Sequence, residues 1–149
     1  MQKYRQGIYK PKNPLKYKGS YPIVYRSFPE AILFKWFDNN NFILEWSSES
    51  IPIPYIKPTD NKIHRYFVDF WVKFKNQQTG EITKYLIEYK PFKQTIPPIE
   101  SKNKKTSTIL HEKLVFVINM AKFKSAREYC EKNNMKFLIL TEKDLPTMP

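Results

Sequence analysis

Tyr66-Phe67-Val68-Asp69-Phe70-Trp71-Val72 and Tyr85-Leu86-Ile87-Glu88-Tyr89-Lys90-Pro91 decide how this chain is read. Both are rich in the β-branched and aromatic residues that favour strands. Both also carry charge where a buried strand should be apolar. The first strand is expected over about 63–75 and the second over about 82–90, joined by the polar loop Asn76 to Glu81 that contains Gly80. Side chains alternate across a strand. That rule puts Val68, Phe70, Val72 and Phe74 on one face of the first strand, with Phe67, Asp69 and Trp71 on the other. In the second strand Tyr85, Ile87 and Tyr89 share a face, and Glu88 and Lys90 point away. Closing Lys75 on Ile82 sets Phe70 opposite Ile87, Val72 opposite Tyr85, Val68 opposite Tyr89 and Asp69 opposite Glu88. Directly opposed Cβ atoms lie about 5 Å apart. A slip of two residues would keep the faces and change the partners.

Two carboxylates that close repel at neutral pH, and a divalent cation relieves the repulsion. Oxygen-only ligands suit Mg²⁺, with Mn²⁺ as a substitute. Asp69 and Glu88 are the expected metal ligands, and the Tyr89 carbonyl is a third candidate. Lys90, two residues beyond Glu88 and so on its face, is placed to polarise a water or meet charge developing on a phosphate. These groups suit phosphodiester hydrolysis. A bland reading exists beside this one: strand carboxylates and lysines also form ordinary solvent-facing ion pairs, Asp69 with Lys73 or Arg65, for example.

Composition fits a phosphodiester partner. The 149 residues hold 26 Lys and Arg against 14 Asp and Glu, a net charge of +12, which favours nucleic acid or another anionic surface. With 41% apolar and 16% aromatic residues, a single domain with a real core is expected. The single Cys130 excludes an intramolecular disulfide framework and a cysteine zinc site. His64 and His111 are too few for a histidine metal centre. No apolar run approaches the roughly 20 residues of a bilayer span. No signal peptide is visible, so an intracellular setting is expected, with no membrane and no nucleotide cofactor.

Residues 1–22 read as a basic extended arm and 23–145 as one catalytic domain. The arm region contains no acidic residue. Lys3, Arg5, Lys10, Lys12, Lys16, Lys18 and Arg26 are candidate DNA contacts, interleaved with Tyr4, Tyr9, Tyr17, Tyr21 and Tyr25. The alternative is a segment that packs its tyrosines on the domain. Ser27-Phe28-Pro29-Glu30 is a helix start, with Ser27 as N-cap and the helix running to about Asn39. Glu30 is a candidate fourth member of the site, though its spacing alone favours a capping glutamate. Phe42 to Trp46 is a short strand or extended link, and 51–90 reads as an antiparallel meander. The loop 91–108 is basic, and Lys102, Lys104 and Lys105 are further DNA candidates. Two helical stretches follow, Ile109 to Asn119 and Ala121 to Asn133. Lys122 and Lys124 face either the site or solvent. Phe137-Leu138-Ile139-Leu140 reads as a fully buried strand.

Asp69 and Glu88-Tyr89-Lys90, with Glu30 on the first helix, resemble the motif of the PD-(D/E)xK nuclease superfamily. Val68 stands where that motif usually has Pro. Tyr25-Arg26-Ser27-Phe28-Pro29-Glu30, Leu44-Glu45-Trp46-Ser47-Ser48-Glu49 and His64-Arg65-Tyr66-Phe67-Val68-Asp69-Phe70 are similar to the head-completion nucleases of T4-like tailed phages. Phe137-Leu138-Ile139-Leu140-Thr141-Glu142 is similar to the end of the related transposon-excision endonucleases. The likeness spans about residues 20–145. It implies a mixed α/β fold with an αβββαβ core and a mainly antiparallel sheet flanked by helices. It also implies a Mg²⁺-dependent DNA endonuclease with Glu30, Asp69, Glu88 and Lys90 as catalytic residues, and with Glu30 joining Asp69, Glu88 and Tyr89 as metal ligands. Such an enzyme would act in the virion or infected cytoplasm, processing packaged DNA so that the head accepts its neck and tail. Phage head, portal or neck proteins would be its partners. Two alternatives stay open: a non-catalytic DNA-binding head–neck protein that keeps the fold, and a transposition or repair nuclease of the same superfamily.

Overall fold

In the computed structural model, residues 6–146 are described; the expected DNA contacts Lys3 and Arg5 lie outside them. The chain forms β1 (Gly7–Tyr9), β2 (Ile23–Tyr25), α1 (Phe28–Asn39), β3 (Ile43–Ser48), β4 (Pro52–Ile56) and β5 (Ile63–Phe67). It continues with β6 (Phe70–Lys75), β7 (Ile82–Tyr89), α2 (Thr106–Lys132) and β8 (Lys136–Leu140). The central sheet runs β3-β6-β7-β8. Its first three strands are antiparallel, and β8 joins β7 in parallel. A parallel partner requires a crossover, which α2 supplies. Leaving aside the β1–β2 and β4–β5 pairs and the short 3₁₀ turns, the order is helix, three strands, helix, strand, as expected.

The β6–β7 register is the expected one: Phe70 pairs Ile87, Val72 pairs Tyr85 and Lys75 pairs Ile82. The expected single strand over 63–75 is instead two. β5 pairs only with β4 in a separate two-stranded sheet, and β6 begins at Phe70 in the central sheet. The chain changes sheets at Val68-Asp69. In an unbroken strand Val68 and Phe70 would share a face. Here Val68 packs with Leu86, Tyr66, Ala126 and Cys130, whereas Phe70 packs with Phe34, Phe37 and Trp46. The ladder therefore ends at Phe70–Ile87, and the expected Val68–Tyr89 pair does not form.

These two clusters cover opposite faces of the sheet. α1 lies on one face through Leu33, Phe34 and Phe37, and α2 on the other through Ala126 and Cys130. A register shift between Ile43 and Glu45 lets Ile43 and Trp46, three residues apart, both point into the α1-side core. Trp46 is fully buried, in contact with the rings of Tyr9, Tyr17, Phe34 and Phe37. The two helical stretches expected after residue 108 form one continuous α2, because nothing between Asn119 and Ala121 breaks a helix. β8 is an edge strand, with Leu138 41% exposed, so it is not the fully buried strand its apolar run suggests.

Residues 7–22 are not a free arm. β1 pairs with β2, Lys18 N–H donates to the Trp46 carbonyl, and Tyr17 is buried. The anchor is Asp38 on α1, fully buried, whose carboxylate accepts from the Tyr9 hydroxyl at 2.6 Å and the amides of Lys12 and Asn13 at 2.7 and 3.0 Å. Burial, then Asp38, holds the Tyr9 hydroxyl protonated to well above the usual tyrosine range. Lys16 donates to the carbonyls of Phe37, Asp38 and Asn40. Its ammonium caps the C-terminal end of α1, where cations are favoured. With its three donors used, it has none for a phosphate.

Candidate active site

The change of sheets at Val68-Asp69 builds the site. At that bend the Asp69 amide leaves the ladder and donates to Glu88 Oε2 at 3.1 Å. The Tyr89 amide donates to Asp69 Oδ2 at 2.9 Å. The two carboxylates are thus each held by the other residue's strand. Lys90 Nζ lies 3.7 Å from Glu88 Oε1. Glu88 is buried, Asp69 and Lys90 partly so. Burial and then the neighbouring Glu88 charge push the Asp69 carboxyl well above the usual carboxylate range. Burial also raises Glu88, with Lys90 opposing. Without a counter-cation the pair therefore retains a proton more readily than free carboxylates do.

Asp69 Oδ1 accepts no hydrogen bond among the described residues, and Glu88 Oε1 lies 3.7 Å from Lys90 Nζ, with the Tyr66 hydroxyl beside the same carboxylate. Two carboxylates, each braced by a backbone amide on one oxygen, suit a hard divalent cation. Among the described residues no three Asp, Glu, His or Cys side chains gather into one ligand cluster.

Glu30 stands in the capping role. Its amide donates to Ser27 Oγ at 3.3 Å, and its carboxylate accepts from the Arg26 amide at 3.2 Å. Its charge adds to the rise of the Asp69 carboxyl, so it lies within electrostatic reach of the site. α1 covers the Phe70 and Ile87 face, opposite Leu86, and only its first turn reaches the Asp69 end of the sheet.

Three further residues join the site. Glu49, at φ 49°, donates its amide to the Asp69 carbonyl at 2.9 Å and binds Arg26 through its carboxylate at 2.5 Å. Arg26, a DNA candidate in the sequence, is thereby committed to a carboxylate beside the site. Tyr66 is buried with its hydroxyl beside Glu88, in no well-formed hydrogen bond. Burial and Glu88 hold that hydroxyl protonated. Lys122, on α2, lies 5.5 Å from the Tyr66 ring centre and 5.8 Å from that of Tyr55. Burial lowers its pKa, as do Lys90 and Lys57, while Glu88 and Asp69 pull it up. Of the two readings open for Lys122, the site-facing one holds; Lys124 is exposed. Tyr66 and Glu49 left little signal, since one reads as strand aromatic and the other as loop acid. The polar run Ser47-Ser48-Glu49-Ser50 directly after an apolar strand was the available hint for Glu49.

Of the remaining basic candidates, Lys10, Lys12, Lys18, Lys102 and Lys105 are exposed. Lys104 bonds the Ile99 carbonyl and Glu112, both at 3.1 Å. No helix among the described residues is long and apolar enough to cross a membrane.

Comparison with known proteins gives the chain's family. Residues 40–142, from the approach to β3 to the end of β8, match the family described as TnsA-like endonuclease N terminal. The chain is also 38% identical over 143 residues to the head completion nuclease of Enterobacteria phage T4, an alignment covering 93% of this chain and 92% of that protein. A family match over the whole central sheet and a relative of that identity along nearly its full length agree, and the chain belongs to the TnsA-like endonuclease family, with its restriction-endonuclease-like fold.

Proposed function

We propose that the chain is a divalent-metal-dependent DNA endonuclease that acts in phage head completion, processing packaged DNA before the neck and tail attach. The observation that carries the chemical part is the interlocked pair Asp69–Glu88 with Lys90 beside it. The phage role is supported by the relative whose name is head completion nuclease. Head, portal or neck proteins are the proposed partners.

Asp69 and Glu88 would hold Mg²⁺, or Mn²⁺ in its place, with the Tyr89 carbonyl as a candidate third ligand. The ion, when bound, supplies a bound water of lowered pKa and a Lewis acid for a phosphoryl oxygen. Lys90 orients that water and offsets negative charge as the phosphorus–oxygen bond breaks. Water adds to phosphorus, and the departing oxygen leaves as a hydroxyl. Glu30 acts at a distance, through the field at Asp69 and through the first turn of α1.

Incubation of supercoiled and linear DNA with Mg²⁺, Mn²⁺ or EDTA tests the reading. Nicking or linearisation with either metal and none in EDTA is expected. Intact DNA under all three conditions would reject catalysis and leave a DNA-binding head–neck protein that keeps the fold.

A further inference from the structure

Beside the site lies a cavity of about 380 Å³ between α2 and the loop after β7. That size falls within the roughly 300–1,000 Å³ of small-ligand pockets. Its lining includes Lys93, Gln94, Pro97, His111, Phe116 and Asn119. Lys93 follows Lys90 by three residues, and Asn119 precedes Lys122 by less than one helical turn, about 4.5 Å along the axis. The cavity therefore lies within three residues of Lys90 and of Lys122 along the chain.

Two ion pairs join its walls. Lys104 ties Ile99 to Glu112, and Lys113 pairs with Glu100, so the loop is clamped to α2. Asn119 is the unexplained group. It is 4% exposed, and its Nδ2 is enclosed with no hydrogen-bond partner. A buried amide left unpaired destabilises the fold. No part of the fold so far described uses it.

We propose that this cavity is a subsite for one unpaired nucleobase of the DNA strand being cut. The proposal rests on the reading of the chain as a DNA nuclease and adds a substrate class to it. Asn119 lines the cavity and carries both a donor and an acceptor, the pattern by which Asn reads bases, and its enclosed Nδ2 becomes reachable as the wall gives way to a base. Phe116 and the proline wall supply an apolar surface for the base plane. Lys93, and Lys102 and Lys105 on the same loop, make no ion pair among the described residues and leave positive charge for the flanking phosphates. Only a base outside a duplex presents its Watson–Crick edge to such a pocket. The preferred substrate is then DNA with an unpaired nucleotide next to the scissile bond, such as an overhang, bulge or flap.

The test uses the full chain with Ca²⁺ in place of Mg²⁺ and two oligonucleotides, one with a bulged 2-aminopurine and one with the same base paired. The bulged probe is expected to lose emission on binding, and to bind more tightly than the paired one. Phe116→Ala and Asn119→Leu are each expected to weaken binding of the bulged probe at least about fivefold, the scale of one stacked base, and to leave the paired probe unchanged. The exposed His111→Ala provides a third variant that spares the core. Equal binding of both probes by wild type would overturn the proposal. So would variants that keep the wild-type preference. In both cases metal-dependent cleavage of duplex DNA would stand, so the nuclease reading would survive. Absence of both binding and cleavage would remove the two together.

Discussion

Asp69 carries the site because it sits where one strand stops and another starts. A carboxylate in mid-strand would be held by packing alone. At the bend its amide is free to bind Glu88, while its side chain takes the Tyr89 amide. Losing either acid removes a ligand of the proposed cation. Asp69→Asn and Glu88→Gln are therefore expected to lower cleavage by on the order of a hundredfold or more, measured as single-turnover rates. Activity within about threefold of wild type would remove that residue from the mechanism. The same pair sets a pH dependence. Both carboxyls titrate above their ordinary range in the folded protein. Their contribution to stability is present below the unfolded carboxylate pKa of about 4 and is lost as pH rises through the folded values. In EDTA, the Tm of wild type is expected to fall relative to Asp69→Asn as pH rises from about 4 to 8. Added Mg²⁺ should close that gap, because the ion replaces the proton. Parallel Tm curves for the two proteins would contradict the assigned repulsion.

At the scale of elements, the N-terminal segment is a packed part of the domain, held by one buried carboxylate. Asp38→Ala orphans the Tyr9 hydroxyl and two backbone amides at once. The expected loss is about 3 kcal/mol, the scale of hydrogen bonds to a charged group, read as a lowered urea midpoint. A loss under about 0.5 kcal/mol would mean that the segment is held by its aromatic contacts instead. Much of this layer was legible in the sequence. Ser27 and Glu30 located the α1 start, and hairpin closure across Gly80 located the β6–β7 register. What was hidden is non-local. Nothing in Ile63 to Lys75 marks the change of sheets, since β-propensity is continuous through it and no Gly or Pro interrupts it. The break follows from β4, which takes β5 as its partner, and from α2, which draws Val68 to its own side. The arm misled for a related reason. Its prolines and lysines describe an extended chain, but Asp38, a carboxylate on another element, decides where that chain lies.

For the whole molecule, a net charge of +12 and the exposed Lys10, Lys12, Lys18, Lys102 and Lys105 make DNA affinity depend on salt. Lys102→Ala and Lys105→Ala are each expected to reduce the slope of log affinity against log salt by about 1 for a lysine that contacts phosphate. Lys16→Ala, whose ammonium already caps α1, should leave the slope unchanged and lower stability instead. Matching slopes for all three variants and wild type would place the DNA on another face. The central claim is that Asp69, Glu88 and Lys90 form the catalytic centre of a metal-dependent DNA endonuclease. Its most direct test is cleavage of supercoiled DNA by wild type and Lys90→Ala side by side in Mg²⁺, with DNA affinity measured for both. Loss of cleavage with affinity retained is the expected result. Equal cleavage by the two proteins would contradict it.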